Sequence, residues 1–377
     1  MDFTLTEEQE MLRKAARDFL EEKCPTTLVR EMDADEKGYP LSLWKEMAEL
    51  GWMGLAFPEN YGGSGMSFLD LAVLIEETGR ACLPGPFLSS VVLGGLTILD
   101  AGSEQQKQKY LPAIASGETI FTLALTEEDA GYSAGSVQVT ATPDGNDYVI
   151  NGTKLFVPDA HVADYLLCVA RTGQPEDTDG GITVFIVDTS TSGISYSVLK
   201  TISGDRLCEV IFNQVKIGAE NILGEPDKGW DIVQRAVQRA AVSKCCELVG
   251  VSQKALDLTL DYARERRQFN RPIGSFQIIQ HYCVDMATDV DATRFSTYQA
   301  AWRLSEGLPC IKEVAIAKAW AGEANDRVST LAHEIHGAIG CTIDHDLGLY
   351  TKRGKAAQLS FGGGDFYREL VAQQMGL

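Results

Sequence analysis

The segment DYVINGTKLFV, residues 147–157, is rich in β-branched and aromatic residues, which favours a β-strand. A turn sequence, Asp144-Gly145-Asn146, precedes it and separates it from the shorter run VQVTA at 137–141. The acidic residues 173–181, which include a proline, are typical of a surface loop. Further strand-like runs follow, namely DYLLCVA at 164–170, GITVFIVDT at 181–189 and EVIFNQVKI at 209–217. The middle third of the chain is therefore predicted to be a β domain.

The segments on either side of this β region have the period of α-helices. From about residue 5 to 115, apolar residues recur at spacings of three and four, and Ser103 with Gln106 predicts a capping box. After the β region the chain returns to long helical windows, whose length favours antiparallel helices of a bundle. These windows lie at about 229–266, 276–306 and 310–340. The predicted order is α, β, α.

The composition excludes several classes of protein. The 377 residues include 33 Lys and Arg against 53 Asp and Glu, and this net charge of −20 opposes binding to nucleic acid. The apolar runs fall short of the roughly 20 residues that a membrane-spanning helix needs, so no membrane span is predicted. The first residues, MDFTLTEEQ, lack the pattern of a signal peptide, and nine scattered cysteines without a C-x-x-C pair favour reduced thiols. We therefore expect a cytoplasmic protein.

Several short motifs are spread along the whole chain. They are PENYGGSG at 58–65, TEEDAG at 126–131, NGTK at 151–154, RERRQFNRPIG at 264–274 and IHGAIG at 335–340. In their order and spacing these motifs resemble the acyl-CoA dehydrogenase family of flavoproteins. The resemblance implies an α+β multi-domain fold, with an N-terminal helical domain at 1–117, a middle β-barrel-like domain at 118–223 and a C-terminal four-helix bundle at 224–377.

The resemblance also implies what the protein binds. FAD is the expected cofactor, and it is expected to lie between the domains. The expected substrate is an acyl-CoA thioester, and an electron-transfer flavoprotein is an expected partner. The expected assembly is a homotetramer built as a dimer of dimers, or a heterotetramer with a related subunit.

The most basic segment of this acidic chain is the octet 264–271, which contains four arginines. A guanidinium fork suits a pyrophosphate, but arginines near the end of a helix also complement its macrodipole, and the residues alone leave both readings open. The resemblance implies that Arg266 contacts the FAD diphosphate of a neighbouring subunit. The positions that it implies around the adenine and ribityl portions are Gln268, Phe269, Ile273 and Gln277.

Other cofactor positions depart from the family's pattern. The resemblance implies that Thr126 bonds the flavin pyrimidine edge, and that Phe156 and Val157 take the place of residues that pack on the isoalloxazine. Pro158, next to them, removes a hydroxyl and an N–H that the family usually has there. At the late motif Glu334 stands where a glutamine is common, and Ala338 follows Gly337 in place of a glycine beside FAD. The alternative for all these positions is ordinary core and loop packing.

The catalytic base of the family is missing from its usual place. In the family a carboxylate removes the α-proton of the acyl-CoA while the β-hydrogen leaves as hydride to the flavin. Here Phe361 stands where that glutamate is usual, and Ala240 stands at the position that some relatives use instead.

An acid nearby in the sequence offers a substitute. Glu247 lies seven residues after Ala240, on the same helix face, inside an apolar run where burial is expected to raise its pKa. Glu247 is therefore the candidate base. The alternative is a structural carboxylate paired with Lys244, and Asp365 is a weaker candidate.

Histidines provide no metal signature. His333 and His336 are three residues apart and His345 follows, but zinc proteases use a spacing of four, so we predict no metal site.

Three functions remain open. The first is α,β-desaturation of a bulky, branched or alicyclic acyl-CoA by this flavoenzyme, with a glutamate-bearing partner subunit as one version. Segments 83–87 and 345–347 resemble the branch of the family that acts on such esters. The second is a non-oxidative elimination, decarboxylation or hydrolysis on the same fold. The third is a non-catalytic partner subunit.

Overall fold

The structure, a computed structural model, describes residues 3–129, 131–173 and 180–377. Helices occupy the part of the chain that precedes the sheet, as the sequence predicts. They are α1 (Glu7–Lys23), α2 (Thr26–Ala34), α3 (Leu41–Glu49), α4 (Phe68–Arg80), α5 (Leu96–Ala101) and α6 (Glu104–Ala115). A π-helix at Leu88–Gly95 leads directly into α5.

The starts of three of these helices are set by capping boxes. Thr6, Ser67 and Ser103 precede α1, α4 and α6, and each side chain accepts a hydrogen bond from a backbone N–H of the first turn. At Ser103 the backbone N–H also donates to Oε1 of Gln106 at 2.9 Å. The capping box predicted at Ser103 is confirmed.

Strands occupy the middle of the chain. They are β1 (Phe121–Ala124), β2 (Thr140–Asp144), β3 (Asp147–Pro158), β4 (Tyr165–Arg171), β5 (Ile182–Asp188), β6 (Ile194–Leu199), β7 (Leu207–Gly218) and β8 (Ile222–Leu223). In the sheet they follow the order β6-β7-β3-β2-β4-β5-β8, and β1 pairs with β4. Only the pairs of β4 with β1 and β2 are parallel among the described strands, so a doubly wound parallel sheet is excluded. The middle β region is confirmed.

Long helices return after the sheet. They are α7 (Trp230–Glu265), α8 (Gln277–Ser305), α9 (Ile311–His336), α10 (Leu347–Leu359) and α11 (Gly364–Gln374). The first three match the three predicted windows to within a few residues. Between α7 and α8 lies a short hairpin of β9 (Arg267–Gln268) and β10 (Arg271–Pro272).

The fold is therefore α+β, with an N-terminal helical part, a middle β part and a C-terminal helical part. The boundaries predicted after residues 117 and 223 stay a prediction. Residues 174–179 of the predicted loop at 173–181 lie outside the described residues.

By packing, the described residues form two compact units. One contains α1, α4 and the chain from Ala241 onward, and the other contains Met32–Met66 and Pro84–Ala240. No helix of the described chain combines the length and the hydropathy that crossing a bilayer requires. Seven of the nine cysteines are buried, as expected for small core residues.

Two glycines set the packing of α4 against α7. A methyl group added at Gly79 would overlap the backbone of Glu247, and one added at Gly250 would overlap the carbonyl oxygen of Glu76. The two helices are therefore in backbone contact, which any side chain at either glycine would prevent.

Buried carboxylates beside this contact tie other helices to α4. Glu76 lies 3.2 Å from the guanidinium of Arg294 on α8 and accepts a hydrogen bond from the Tyr298 hydroxyl at 2.8 Å. Glu77 pairs with Arg17 on α1 at 2.6 Å. Because an unpaired buried charge is costly, each pair fixes the helix that supplies the cation.

The helix contact predicts that alanine substitutions at two glycines differ in their effect on stability. Gly250→Ala should lower the free energy of unfolding by about 1–3 kcal/mol, because the methyl group has no space against α4. Gly348→Ala in α10 is the matched control, since nothing lies within 4 Å of the added methyl group there. That variant should be as stable as the wild type or more so, because alanine has the higher helix propensity. Urea unfolding measures both, and equal stabilities would contradict the backbone contact.

Candidate functional site

The basic octet forms an exposed hairpin at the end of α7. Phe269 and Asn270 connect β9 to β10 with φ values of 51° and 64°, in the left-handed region. The turn is held by the N–H of Ile273, which donates to the carbonyl of Arg266 at 2.8 Å. Phe269 is 87% exposed, which is unusual for a large apolar side chain.

Two arginines of the octet, Arg264 and Arg266, differ in their partners. Arg264 lies in the last turn of α7 and pairs with Asp261 at 3.0 Å, so it serves the helix end. Arg266 follows the end of the helix and is exposed, and its guanidinium has no ion-pair partner in the described part of the chain. An open guanidinium next to a hairpin that carries an exposed aromatic ring fits a phosphate-bearing ligand with a flat ring system.

The structure brings the other predicted residues of this group to the same place. Gln268 is exposed in β9, Ile273 is half-buried in the turn that follows β10, and Gln277 is exposed as the first residue of α8. All of them lie in the same unit as Arg266.

A second group of predicted residues meets in the β unit. The carbonyl of Thr126 accepts a hydrogen bond from the N–H of Leu155 at 2.8 Å. The register of β3 against β7 shifts between Lys154 and Val157, and within this bulge Phe156 has a φ of 54° and is 50% exposed. Because an aromatic residue rarely adopts a positive φ, the bulge is a strained feature of the kind that clusters at binding sites.

Two positions of this group differ in what they offer a ligand. The Thr126 hydroxyl has no hydrogen-bond partner among the described residues, and the residue is only half-buried. Val157 in contrast is 1% exposed, so its side chain has the ordinary core packing that was the alternative for this position. The open hydroxyl and the exposed Phe156 ring fit the edge and face of a flavin ring.

The late motif lies at the C-terminal end of α9. Glu334, Gly337 and Ala338 are all exposed there, and Gly337 has a φ of 64° with open space at its Cβ position. Next to them His336 is buried and stacks on Tyr262 with ring centroids 4.5 Å apart. Among the described residues no group of three or more potential ligands is placed to hold a metal.

Phe361, which the resemblance predicts to stand at the position of the family's base, lies in a closely bonded segment. Phe361 has a φ of 57°, and its carbonyl accepts a hydrogen bond from the Tyr367 hydroxyl at 2.6 Å. The buried ammonium of Lys318 donates to the carbonyls of Gln358 at 2.7 Å and Gly362 at 3.0 Å. Phe361 therefore lies in a segment that is held firmly from both sides.

The two acids considered as substitutes are differently placed. Glu247 is 1% exposed and forms ion pairs with Lys244, at 2.7 Å, and with Arg353 on α10. Burial alone would raise its pKa, but the charges and hydrogen bonds of Arg353 and Lys244 outweigh that effect and lower the pKa to about 2. Asp365 is exposed and pairs with Arg368 at 2.7 Å.

The expectation that apolar neighbours raise the pKa of Glu247 is therefore wrong. The sequence could show the apolar run, but Arg353 approaches from another helix, 106 residues away, and nothing in the sequence marks it as a partner. The geometry favours the alternative, a structural carboxylate paired with Lys244. A catalytic role for Glu247 stays a prediction without support from its environment.

Models of one protein family match almost the entire chain. The acyl-CoA dehydrogenase N-terminal domain matches residues 6–118, the middle domain residues 122–215 and the C-terminal domain residues 227–376.

Individual proteins are similar over the same extent. The probable acyl-CoA dehydrogenase YngJ of Bacillus subtilis is 35% identical over 100% of both chains. The structure of butyryl-CoA dehydrogenase from Megasphaera elsdenii has a TM-score of 0.93 at 30% identity, with 100% of each chain covered. The ChsE4-ChsE5 complex from Mycobacterium tuberculosis has a TM-score of 0.91 at 30% identity, with 100% of this chain and 99% of that chain covered.

The ion pairs of Glu247 predict a large loss of stability on neutralisation. Glu247→Gln should lower the free energy of unfolding at neutral pH by about 3–5 kcal/mol, because it removes the buried carboxylate with which the half-buried cations of Lys244 and Arg353 pair. The pKa of Glu247 in the folded protein lies below its ordinary value of 4.5, so its contribution is complete above that pH. The difference between wild type and variant should therefore shrink as the pH falls from 4.5 towards 2.

Urea unfolding over a pH series measures both effects. Glu225→Gln is the matched control, because Glu225 also pairs with a lysine three residues away but both side chains are exposed. This variant should unfold like the wild type. A Glu247→Gln protein of unchanged stability would show that the ion pairs do not hold α10.

Proposed function

Because the chain belongs to the acyl-CoA dehydrogenase family of FAD-dependent oxidoreductases, which act on CH–CH bonds of acyl-CoA, we propose that it desaturates a bulky, branched or alicyclic acyl-CoA. A second, glutamate-bearing subunit supplies the catalytic base in this proposal. The observation that carries it is the lack of a suitable base at three positions. Phe361 and Ala240 have no carboxylate, and the ion pairs of Glu247 lower its pKa to about 2.

Two further observations support a partner subunit and a bulky substrate. One similar structure is the ChsE4-ChsE5 complex, so a relative of comparable similarity assembles with another chain. Segments 83–87 and 345–347 also resemble the branch of the family that acts on ring-containing esters. We infer a heterotetramer with a related subunit, with a homotetramer as the alternative, and an electron-transfer flavoprotein as the electron acceptor. The cytoplasmic location stays a prediction.

The exposed groups described above are the proposed cofactor contacts. When bound, FAD supplies the acceptor for the electrons of the oxidation. Arg266 neutralises a phosphate of the FAD of a neighbouring subunit, while Thr126 donates its hydroxyl to the flavin edge and Phe156 covers the ring. The other proposed contacts are Gln268, Phe269, Ile273, Gln277, Glu334, Gly337 and Ala338, together with the backbone of Val157.

The missing base also favours a second candidate, a subunit that does not catalyse oxidation by itself. The visible spectrum of the purified chain, recorded with and without acyl-CoA esters, separates the functions. Bleaching of a bound flavin only after the glutamate-bearing subunit is added supports the proposed dehydrogenase, and product without bleaching supports a non-oxidative reaction on the same fold. A chain that binds no flavin supports the non-catalytic subunit.

Restoring the base provides a direct test of this proposal. The chain alone should reduce its flavin very slowly with butyryl-CoA, since Phe361 accepts no proton. Phe361→Glu should raise that rate by about 10²–10⁴-fold, the usual contribution of a positioned acid or base. Stopped-flow recording of flavin bleaching measures the rate.

The control for this test places the same charge nearby. Phe366→Glu changes an exposed phenylalanine of α11 and should leave the rate unchanged. Rapid flavin reduction by the unchanged chain would refute the missing base. An equal gain in both variants would attribute the effect to charge alone.

The phosphate contact predicts a selective loss of cofactor. Arg266→Ala should weaken FAD binding by about 10- to 150-fold, because a charge-assisted hydrogen bond is worth about 1.5–3 kcal/mol. Its stability without FAD should be that of the wild type, because Arg266 is exposed and has no ion-pair partner among the described residues. Titration of the apoprotein with FAD measures the affinity.

Arg264→Ala serves as the control, because it removes the same charge from the same segment but from a residue that pairs with Asp261. It should bind FAD like the wild type. Equal losses of FAD affinity in the two variants would show that the effect comes from the net positive charge of the segment and not from a contact of Arg266.

A further inference from the structure

A buried ion pair lies beside the loop that carries Thr126. Lys154, in β3, is 0% exposed, and its ammonium donates to Oε1 of Glu127 at 2.6 Å and to the carbonyl of Leu125 at 3.0 Å. Leu125 and Glu127 are the two neighbours of Thr126 in the sequence. One ammonium therefore holds the chain on both sides of Thr126.

The carboxylate of Glu127 is fully used by this arrangement. Besides Lys154, it accepts hydrogen bonds from the backbone N–H groups of Gln138, at 2.8 Å, and Val139, at 3.1 Å. These residues immediately precede β2. The pair thus connects the Thr126 loop to two segments of the sheet.

The backbone of Thr126 is hydrogen-bonded, whereas its hydroxyl is available to a ligand. Its carbonyl accepts the N–H of Leu155, the residue after Lys154. Residues 125–127 are thereby each bonded to residues 154–155, while the Thr126 hydroxyl has no partner within the described residues. Such a fixed backbone leaves the hydroxyl only the rotation about its own side-chain bond.

Stability alone does not account for the pair. Burying two opposite charges costs desolvation that their attraction barely repays, and apolar residues of similar volume often serve the core equally well. What an apolar pair cannot do is hold two specific oxygen atoms, the Leu125 carbonyl and the Glu127 carboxylate, at fixed distances on the two sides of one residue.

We propose that the Lys154–Glu127 pair is a positioning device that aims the Thr126 hydroxyl at the pyrimidine edge of the flavin. The inference rests on the FAD binding proposed above and goes beyond it, because it assigns a role to two buried residues that make no cofactor contact themselves. The pair acts through Thr126, and its removal loosens the loop and weakens one hydrogen bond to the ring.

The test replaces the pair without leaving a buried charge. Lys154→Met/Glu127→Gln removes both charges and nearly preserves the volume. Lys154→Met alone is the second variant if the double one folds poorly, because Glu127 keeps the hydrogen bonds from the N–H groups of Gln138 and Val139. In the apoprotein, the amide of Leu155 should exchange its hydrogen faster than in the wild type, because its acceptor on Thr126 is no longer held. This readout does not require flavin.

The flavin-bound readout is a mutant cycle with Thr126→Ala. The pair variant and Thr126→Ala should each weaken FAD binding by about fivefold to tenfold, the scale of one neutral hydrogen bond, and shift the visible bands of the bound flavin alike. In the Thr126→Ala background the pair variant should add no further loss or band shift, because the hydroxyl it positions is gone. Additive losses would overturn the inference.

A buried ion pair in the other unit provides the control. Arg294→Met breaks the pair with Glu76 and should lower stability without changing the flavin bands or the Leu155 amide. Pair variants that lose only stability in the same way would overturn the positioning role. A wild-type chain that binds no FAD would overturn both the proposed function and this inference, whereas FAD binding with unchanged bands in the pair variant would overturn the inference alone.

Discussion

The backbone contact between α4 and α7 is the constraint on which the helical unit depends. Gly79 lies against the backbone of Glu247, and Gly250 lies against the carbonyl of Glu76. Both acids are therefore located at the contact between the two helices. Helices this close leave no room for water, and both carboxylates are therefore buried. Each must find a cation, and the cations come from α8 and α10. The helix contact thus dictates which helices can pack around it.

This constraint also decides the chemistry of Glu247. A carboxylate in an apolar run is a base when nothing neutralises it, and a structural ion when two cations do. Here Lys244 and Arg353 hold it ionised with a pKa of about 2, too low for a useful proton acceptor near neutral pH. At Phe361 and Ala240, the two positions where the resemblance to the family predicts a base, the chain carries no carboxylate.

Two of the buried ion pairs, that of Glu247 and that of Lys154, differ in what surrounds them. Glu247 lies among apolar residues such as Cys246 and Leu248, which are fully buried, so its charge serves the packing of helices. Lys154 in contrast holds a loop whose next polar group, the Thr126 hydroxyl, is open, and which adjoins the strained Phe156. A buried charge beside an open hydroxyl and a strained bulge positions a ligand contact, whereas one inside a helix bundle stabilises the bundle.

The sequence by itself determined the order of helices and strands, the capping box at Ser103 and the absence of a base at Phe361, because periodicity, capping and residue identity are local properties. It also marked Arg266 and Thr126 through short motifs. Only the tertiary structure decided which charges meet. Arg353 and Glu247 are 106 residues apart, and Lys154 and Glu127 are 27 apart. A pKa depends on such partners within a few ångströms, and their distance is set by how the helices and strands pack.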